Sequence, residues 1–143
     1  MRFMSRLGEA LKGAAASLDE VTERYESSIS IRSTVRPGVT FRVLRMSLRR
    51  RHWLLQVLRK LCVEQAFHAA GEDVADEVAA AEIQARIDEL VVRHCLEEIR
   101  GLRIDGRRAD VELLLESGPE DLVREIAESA AGQNLLSEDE RKN

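Results

Sequence analysis

Apolar and polar side chains alternate with a period of two in residues 28–46, a pattern typical of half-buried β-strands. The first run of alternation reaches Arg36, and the second begins at Val39 after Pro37-Gly38. Proline fixes φ at the second position of a turn, and glycine accepts the positive φ that follows in a type II turn. The sequence therefore predicts a β-hairpin over 28–46. The positions expected to face inward are Ile29, Ile31, Ser33, Val35, Val39, Phe41 and Val43.

Two long stretches with helical periodicity follow, and they predict helices over 47–70 and 74–100. Ser47 is placed to cap the first helix, and Gly71 is placed to end it. Because the connection between the two helices is short, we expect an antiparallel helical hairpin. The apolar stripe of the first helix is Leu54, Val57, Leu58 and Leu61, widened by Leu55, Cys62 and Ala66, and that of the second is Val78, Ile83, Ile87, Leu90, Val91 and His94.

Shorter helices are predicted over 110–117, where Asp110 can act as the cap, and over 119–131, after turn signals at Asp105-Gly106 and Gly118-Pro119. Gly132 is expected to end the last helix. The whole pattern predicts a mainly α protein with a small β-hairpin, an α+β fold. It forms one globular domain over 27–133 and a charged C-terminal tail over 134–143.

Residues 1–26 are predicted to be an amphipathic N-terminal arm, although Gly8 and Gly13 weaken the helix. One interpretation is a loosely attached leader. The other is a helix that docks on a partner or on a membrane surface, but its polar face is not strongly basic, which disfavours the membrane. The apolar stripe of this arm is Phe3, Leu7, Ala10, Leu11, Ala14 and Leu18.

Composition adds a strong asymmetry of charge to this picture. Residues 1–60 contain 13 Lys or Arg against 5 Asp or Glu, and residues 61–143 contain 9 against 21, within a net charge of −4. A basic half followed by an acidic half indicates either internal pairing or separate binding faces. Aromatic residues are only 3% of the chain, so the core must come from Leu, Val, Ile and Ala, which favours packed helices.

Candidate chemistry is sparse in this chain. Cys62 and Cys95 both fall within helical apolar patterns, so we expect small core residues in a reduced cytosolic protein. The spacing of these cysteines and of the three histidines fits no zinc motif. The sequence has no nucleophile elbow, no glycine-rich phosphate loop and no apolar run of the roughly 18–20 residues that span a membrane. We therefore expect a soluble, non-enzymatic protein without metal or cofactor.

The most distinctive local cluster is the sequence of Arg49, Arg50, Arg51, His52 and Trp53. It fits a phosphate-binding patch with an aromatic residue for stacking. It also fits an interface for an acidic protein surface, or a simply solvated helix start, or one that pairs with the acidic half of the same chain. We favour protein binding over nucleic acid. The candidate protein-binding residues are Phe41, Arg45, Arg49, Arg50, Arg51 and Trp53.

Several short segments between about residue 28 and the end of the sequence occur in a distinctive order. They are Arg36–Phe41, Leu44–Ser47 with Arg50-Arg51, Gly101-Leu102 with Ile104–Gly106, Gly118–Leu122 and Leu136–Asn143. Together they resemble a family of small proteins encoded near the tail genes of bacteriophages and prophages, the tail assembly chaperones.

The resemblance implies a non-enzymatic role in assembly in the cytoplasm of the bacterial host. Chaperones of this kind bind the tape-measure protein and recruit tail-tube subunits, and they are absent from the finished particle. A homo-oligomer is compatible with this role. The alternatives are a structural tail-completion or connector protein of the virion, or a small nucleic-acid-binding regulator that uses Arg49–Arg51.

Overall fold

The computed structural model describes residues 20–22 and 27–135. The predicted arm over 1–26 and the tail over 134–143 therefore lie largely outside the described residues. The described part is a mixed α+β fold, as predicted, with two long antiparallel helices and two small antiparallel sheets. Its elements in chain order are β1 (Ser28–Arg32), β2 (Thr40–Leu44), α1 (Leu48–Ala69), α2 (Val74–Cys95), β3 (Leu96–Arg100), β4 (Arg103–Ile104), β5 (Arg107–Arg108), α3 (Val111–Ser117) and α4 (Glu120–Asn134).

The predicted hairpin is confirmed, because β1 pairs antiparallel with β2 and places Ile31 opposite Phe41. The turn between the strands has the predicted chemistry. Gly38 has φ +93°, and the Val39 N–H donates to the Arg36 carbonyl at 3.0 Å. Strand β1 ends four residues earlier than the alternation suggested, since residues 33–36 form the approach to this turn instead of extending the ladder.

The prediction of a helix that continues to residue 100 is wrong. Helix α2 ends at Cys95, and the next residue begins β3, which pairs antiparallel with β2 and makes β2 the central strand of a three-stranded sheet. A register shift lies between Arg42 and Val43, so that Leu96 is opposite Val43 while Ile99 is opposite Phe41. This bulge lets Leu96 and Ile99, three residues apart, both reach the core.

Both long helices begin with a side-chain cap, of which the sequence predicted the one at Ser47. The Ser47 hydroxyl accepts the Arg50 N–H at 3.3 Å, and the Asp73 carboxylate accepts the Asp76 N–H at 2.9 Å. Only Leu54 and Leu58 of α1 are fully enclosed, so its predicted stripe is buried over a narrower width than expected. Helix α2 is enclosed mainly in its second half, where Val91, Val92 and Cys95 enter the core.

The C-terminal elements cover the sheet and the end of the helical hairpin. Asp105 and Gly106 both have positive φ in the two-residue turn between β4 and β5, which suits a type I′ hairpin. Asp110 caps α3 as predicted, by accepting the Leu113 N–H at 2.8 Å.

The last helix does not end at Gly132 as predicted, because α4 continues to Asn134. The buried Asn134 amide accepts the Met46 N–H at 2.8 Å and donates to the Leu44 carbonyl at 2.8 Å. These hydrogen bonds favour the continuation of α4 through Gly132 to Asn134. They offset the cost of placing Gly132 in a helix, which is roughly 1 kcal/mol relative to alanine.

One core joins the sheet to the four helices. Its largest fully enclosed side chains are Phe41, Val43, Leu54, Val92, Cys95, Leu114, Leu122 and Ile126.

Candidate functional site

A groove lies between α1, α2 and α4, with a volume of ≈ 660 Å³. Helix α1 forms one wall, the middle of α2 forms the floor, and the end of α4 forms the other wall. Most of the lining side chains are apolar. They are Leu55, Leu58, Cys62, Val63, Ile87, Val91, Ala127, Ala131 and Leu135.

The groove wall on α1 is open to solvent because no described element covers it. Leu55 is 39% exposed and Val63 is 65% exposed, although both carry large apolar side chains. Contiguous exposed apolar surface of this kind marks sites of interaction in soluble proteins. The groove therefore has the shape and surface that suit the apolar face of another helix.

The polar residues at the edges of the groove have opposite charges on its two sides. Arg59 lies on the α1 side, while Asp88 and Glu128 lie on the side of α2 and α4. A helix bound here would be oriented by these charges as well as by its apolar face.

Asp88 is the buried carboxylate of this site. It accepts a hydrogen bond from Gln84 Nε2 at 3.0 Å, and its Oδ2 lies 3.8 Å from Arg124 Nε. Burial raises the pKa of Asp88, although the hydrogen bond from Gln84 and the charge of Arg124 oppose this effect. A cation brought into the groove would favour the ionised form.

The two cysteines have different environments, although both were expected in the core. Cys95 is fully buried, and burial raises the pKa of its thiol to about 11. Cys62 is exposed and lines the groove, so the prediction that it is a core residue is wrong. The difference arises because the part of α1 around Cys62 faces the groove and not the sheet.

The sequence-predicted binding residues do not form one site. Arg49 and Arg50 are exposed, whereas the half-buried Arg51 donates to the Leu135 carbonyl at 3.2 Å, at the edge of the groove. Trp53 is 45% exposed and makes an edge-on ring contact with His94 at 4.9 Å between centroids.

Of the other two predicted residues, Arg45 is exposed, and its backbone N–H donates to the Ser27 carbonyl at 2.9 Å. Phe41 is 0% exposed. The prediction that Phe41 binds a partner is wrong, because its position in the alternation of β2 turns its side chain into the core.

Sequence reasoning missed the groove, although the pattern contained a signal for it. Leu55, Cys62 and Ala66 made the stripe of α1 wider than one packing partner covers. Such a width indicates either a second neighbour within the fold or an unpartnered face, and the periodicity alone does not separate these two cases.

The described residues 20–22 and 27–135 contain no group of three or more His, Cys, Asp or Glu side chains arranged to hold a metal ion. Within the same part of the chain, every helix is too short or too polar to cross a lipid bilayer. No protein-family model, curated protein or solved structure matches this chain.

Proposed function

We propose that this protein acts by binding other polypeptides, with the groove between α1, α2 and α4 holding the apolar face of a partner helix. The observation that carries the proposal is the open, apolar groove with Leu55, Cys62 and Val63 on its exposed wall. Burial of apolar surface contributes about 25 cal/mol per Å², so covering this wall would favour association.

The groove favours a particular kind of partner segment. The wall from His52 to Val63 covers 12 residues of α1, so it matches a helix of similar length, about 18 Å. The exposed Glu128 on the α4 side favours a basic residue beside the apolar stripe of the partner. An amphipathic helix with Lys or Arg along one edge therefore fits best.

We assign this binding to phage tail assembly, in which the protein would act as a chaperone for the tape-measure protein and recruit tail-tube subunits in the host cytoplasm. The order of the segments quoted above, from about residue 28 onward, supports this assignment. A long helical protein offers many amphipathic segments, and a chaperone must release them, which suits an open groove better than an enclosed pocket.

The test is direct binding to tape-measure and tail-tube proteins encoded by the genome that carries this gene. Wild type is expected to bind at least one of them, and Val63→Glu is expected to weaken binding at least about tenfold. The reason is that a carboxylate in the apolar wall must lose water on binding. Val78→Glu is the matched control, because Val78 is 61% exposed on α2 outside the groove.

Two results would count against this function. Binding of wild type to neither protein would refute the tail-assembly role, and equal losses in the two variants would refute the groove as the site. Detection of the protein in stoichiometric amounts in purified virions would instead indicate a structural component.

Nucleic acid is a second candidate ligand, favoured by the exposure of Arg49, Arg50 and Trp53 on one end of α1. Binding through arginine–phosphate contacts must weaken as salt rises, since it releases counterions. A titration against single- and double-stranded DNA at two salt concentrations tests this. An affinity that is independent of salt would reject it.

A further inference from the structure

A second pocket, with a volume of ≈ 720 Å³, lies where the end of β3 meets the β4–β5 hairpin. Three of the residues that line it are arginines, Arg100, Arg103 and Arg108, and we call it the arginine pocket. Among the residues that the structure describes, Glu98 is the only acidic member of the lining. The pocket therefore has an excess of positive charge.

The arginine pocket belongs to a basic segment within an otherwise acidic half of the chain. Residues 100–108 contain four Arg and one Asp, whereas residues 61–143 as a whole contain 9 Lys or Arg against 21 Asp or Glu. The positive charge of the pocket is thus a local concentration, and it does not follow from the average composition of this half.

Two of these arginines face each other across the β4–β5 hairpin. Arg103 is opposite Arg108 in the antiparallel register, so their side chains lie on the same face, and we call them the facing pair. Like charges in this position destabilise a sheet. Neither arginine forms an ion pair with any described carboxylate, and the Arg103 guanidinium donates to the Gly106 carbonyl at 3.1 Å. A bound anion would remove the repulsion within the facing pair.

Glu98 does not neutralise the facing pair, because its carboxylate is already shared by two other guanidinium groups. Its Oε1 accepts from Arg100 Nε at 2.8 Å, and its Oε2 accepts from Arg42 Nη1 at 3.2 Å. Glu97 also lies 3.5 Å from Arg42, so two acidic and two basic groups balance one another here. Both positive charges of the facing pair are left over.

We propose that the arginine pocket binds a compact phosphate-bearing anion, with the facing pair as its main ligands. A guanidinium donates two parallel hydrogen bonds to a phosphate, and a phosphate dianion brings two negative charges in one group. Because the Cβ atoms of opposite residues are about 4.5–5.5 Å apart, both arginines can reach the same phosphate. A single carboxylate would neutralise only one of them. The pocket shares no lining residue with the groove, so this site does not depend on the proposed function.

Calorimetric titration of the full chain with pyrophosphate tests the site, with the ionic strength held constant by sodium chloride. We expect saturable binding of one pyrophosphate per chain. Arg103→Gln and Arg108→Gln should each weaken it at least about tenfold, because each removes charge-assisted hydrogen bonds. The matched control is Arg107→Gln, since the exposed Arg107 is opposite Ile104 on the other face of the hairpin. Its affinity should stay within about twofold of wild type, because its charge acts only through screening solvent.

Unfolding of the variants in urea separates binding from a structural role. Without pyrophosphate, Arg108→Gln should have a urea midpoint equal to that of wild type or higher, because it removes a repulsion. A lower midpoint would overturn the proposal, since it would mean that Arg108 stabilises the empty pocket.

Three binding results would also overturn the proposal. They are the absence of saturable pyrophosphate binding, an equal loss of affinity in Arg107→Gln, and citrate binding as tight as that of pyrophosphate, which would assign the pocket to carboxylates. Tighter binding of a short oligothymidylate through the facing pair would overturn the compact ligand and assign the pocket to a nucleic-acid backbone. Because no polypeptide partner is present, failure here leaves the binding test of the groove unaffected.

Discussion

The side chain of Asn134 binds three backbone groups in two segments of the chain. Its Oδ1 accepts the Met46 N–H, and its Nδ2 donates to the carbonyls of Leu44 and Ala130. Because Asn134 is buried, these groups have little access to replacement hydrogen bonds from water. One amide therefore holds the end of β2 against the end of α4.

Asn134→Ala should lower the free energy of unfolding by about 2–4 kcal/mol, because it leaves the Met46 N–H and the Leu44 carbonyl without their partner. Urea denaturation followed by circular dichroism measures the change. The adjacent exposed Gln133→Ala is the control and should shift stability by less than about 0.5 kcal/mol. A similar loss in both variants would show that the helix end, and not the amide, is responsible.

At the scale of elements, local chemistry predicted most of the fold, and the failure to predict β3 has a physical cause. Turn and cap residues act within a few positions, so the Pro37-Gly38 turn and the caps at Ser47 and Asp110 could be identified from the sequence. Strand β3 could not, because Leu96 and Ile99 have the spacing of a helix face. They share a strand face only through the bulge opposite Arg42 and Val43, which depends on a distant partner.

The candidate site was less predictable than the fold for a related reason. Exposure of Leu55 and Val63 depends on which elements cover α1, and the sequence of α1 does not encode its neighbours. The basic cluster was visible because it is contiguous in the chain. The groove was not, since its walls come from three helices.

Gly101 follows β3 and lies against the turn of the first hairpin, and its substitution tests that contact. A Cβ at Gly101 would lie 2.3 Å from the Gly38 carbonyl oxygen, and its φ is +82°. Gly101→Ala should therefore lower the free energy of unfolding by about 2–4 kcal/mol, from backbone strain and steric overlap together. Gly38 also has a positive φ, +93°, but an added Cβ there would meet nothing within 4 Å. Gly38→Ala should therefore lower the free energy of unfolding by only about 1 kcal/mol, from backbone strain alone. Thermal and urea unfolding of both variants would measure the difference, and equal losses would contradict the steric argument.

At the scale of the whole molecule, part of the charge asymmetry is used for internal pairing. Arg36 lies 3.0 Å from Asp121, and Arg42 lies 3.2 Å from Glu98, so basic residues of the first hairpin contact acidic residues of the second half. These exposed pairs contribute little individually, about 0–1 kcal/mol. Their main effect is to orient α4 and β3 against the hairpin.

Glu125 makes the contact between α4 and the first hairpin sensitive to pH. Burial by itself raises the pKa of Glu125, but hydrogen bonds from Ser33 and Thr34 outweigh it, so the pKa is lowered overall. A lowered pKa in the folded state stabilises the protein above the ordinary pKa of a carboxyl group, and this stabilisation is lost as pH falls through the folded value.

Glu125→Gln should therefore destabilise the protein at pH 7 and have a smaller effect near pH 3. Urea unfolding across pH 3–7 checks this, with the exposed Glu116→Gln as the control. A loss that stays constant over this range would mean that the hydroxyl contacts, and not the ionisation of Glu125, determine the effect.

The direct passage from α2 into β3 has a consequence for biosynthesis. Arg42 and its cross-strand partner Glu98 are 56 positions apart, so the ribosome makes β2 well before the strand that flanks it. At about 5–20 residues per second, this interval lasts roughly 3–11 s. During that time the nascent β-hairpin has an unpaired inner edge. Strand β3 covers this edge only after α1 and α2 have been made and have returned the chain to β2.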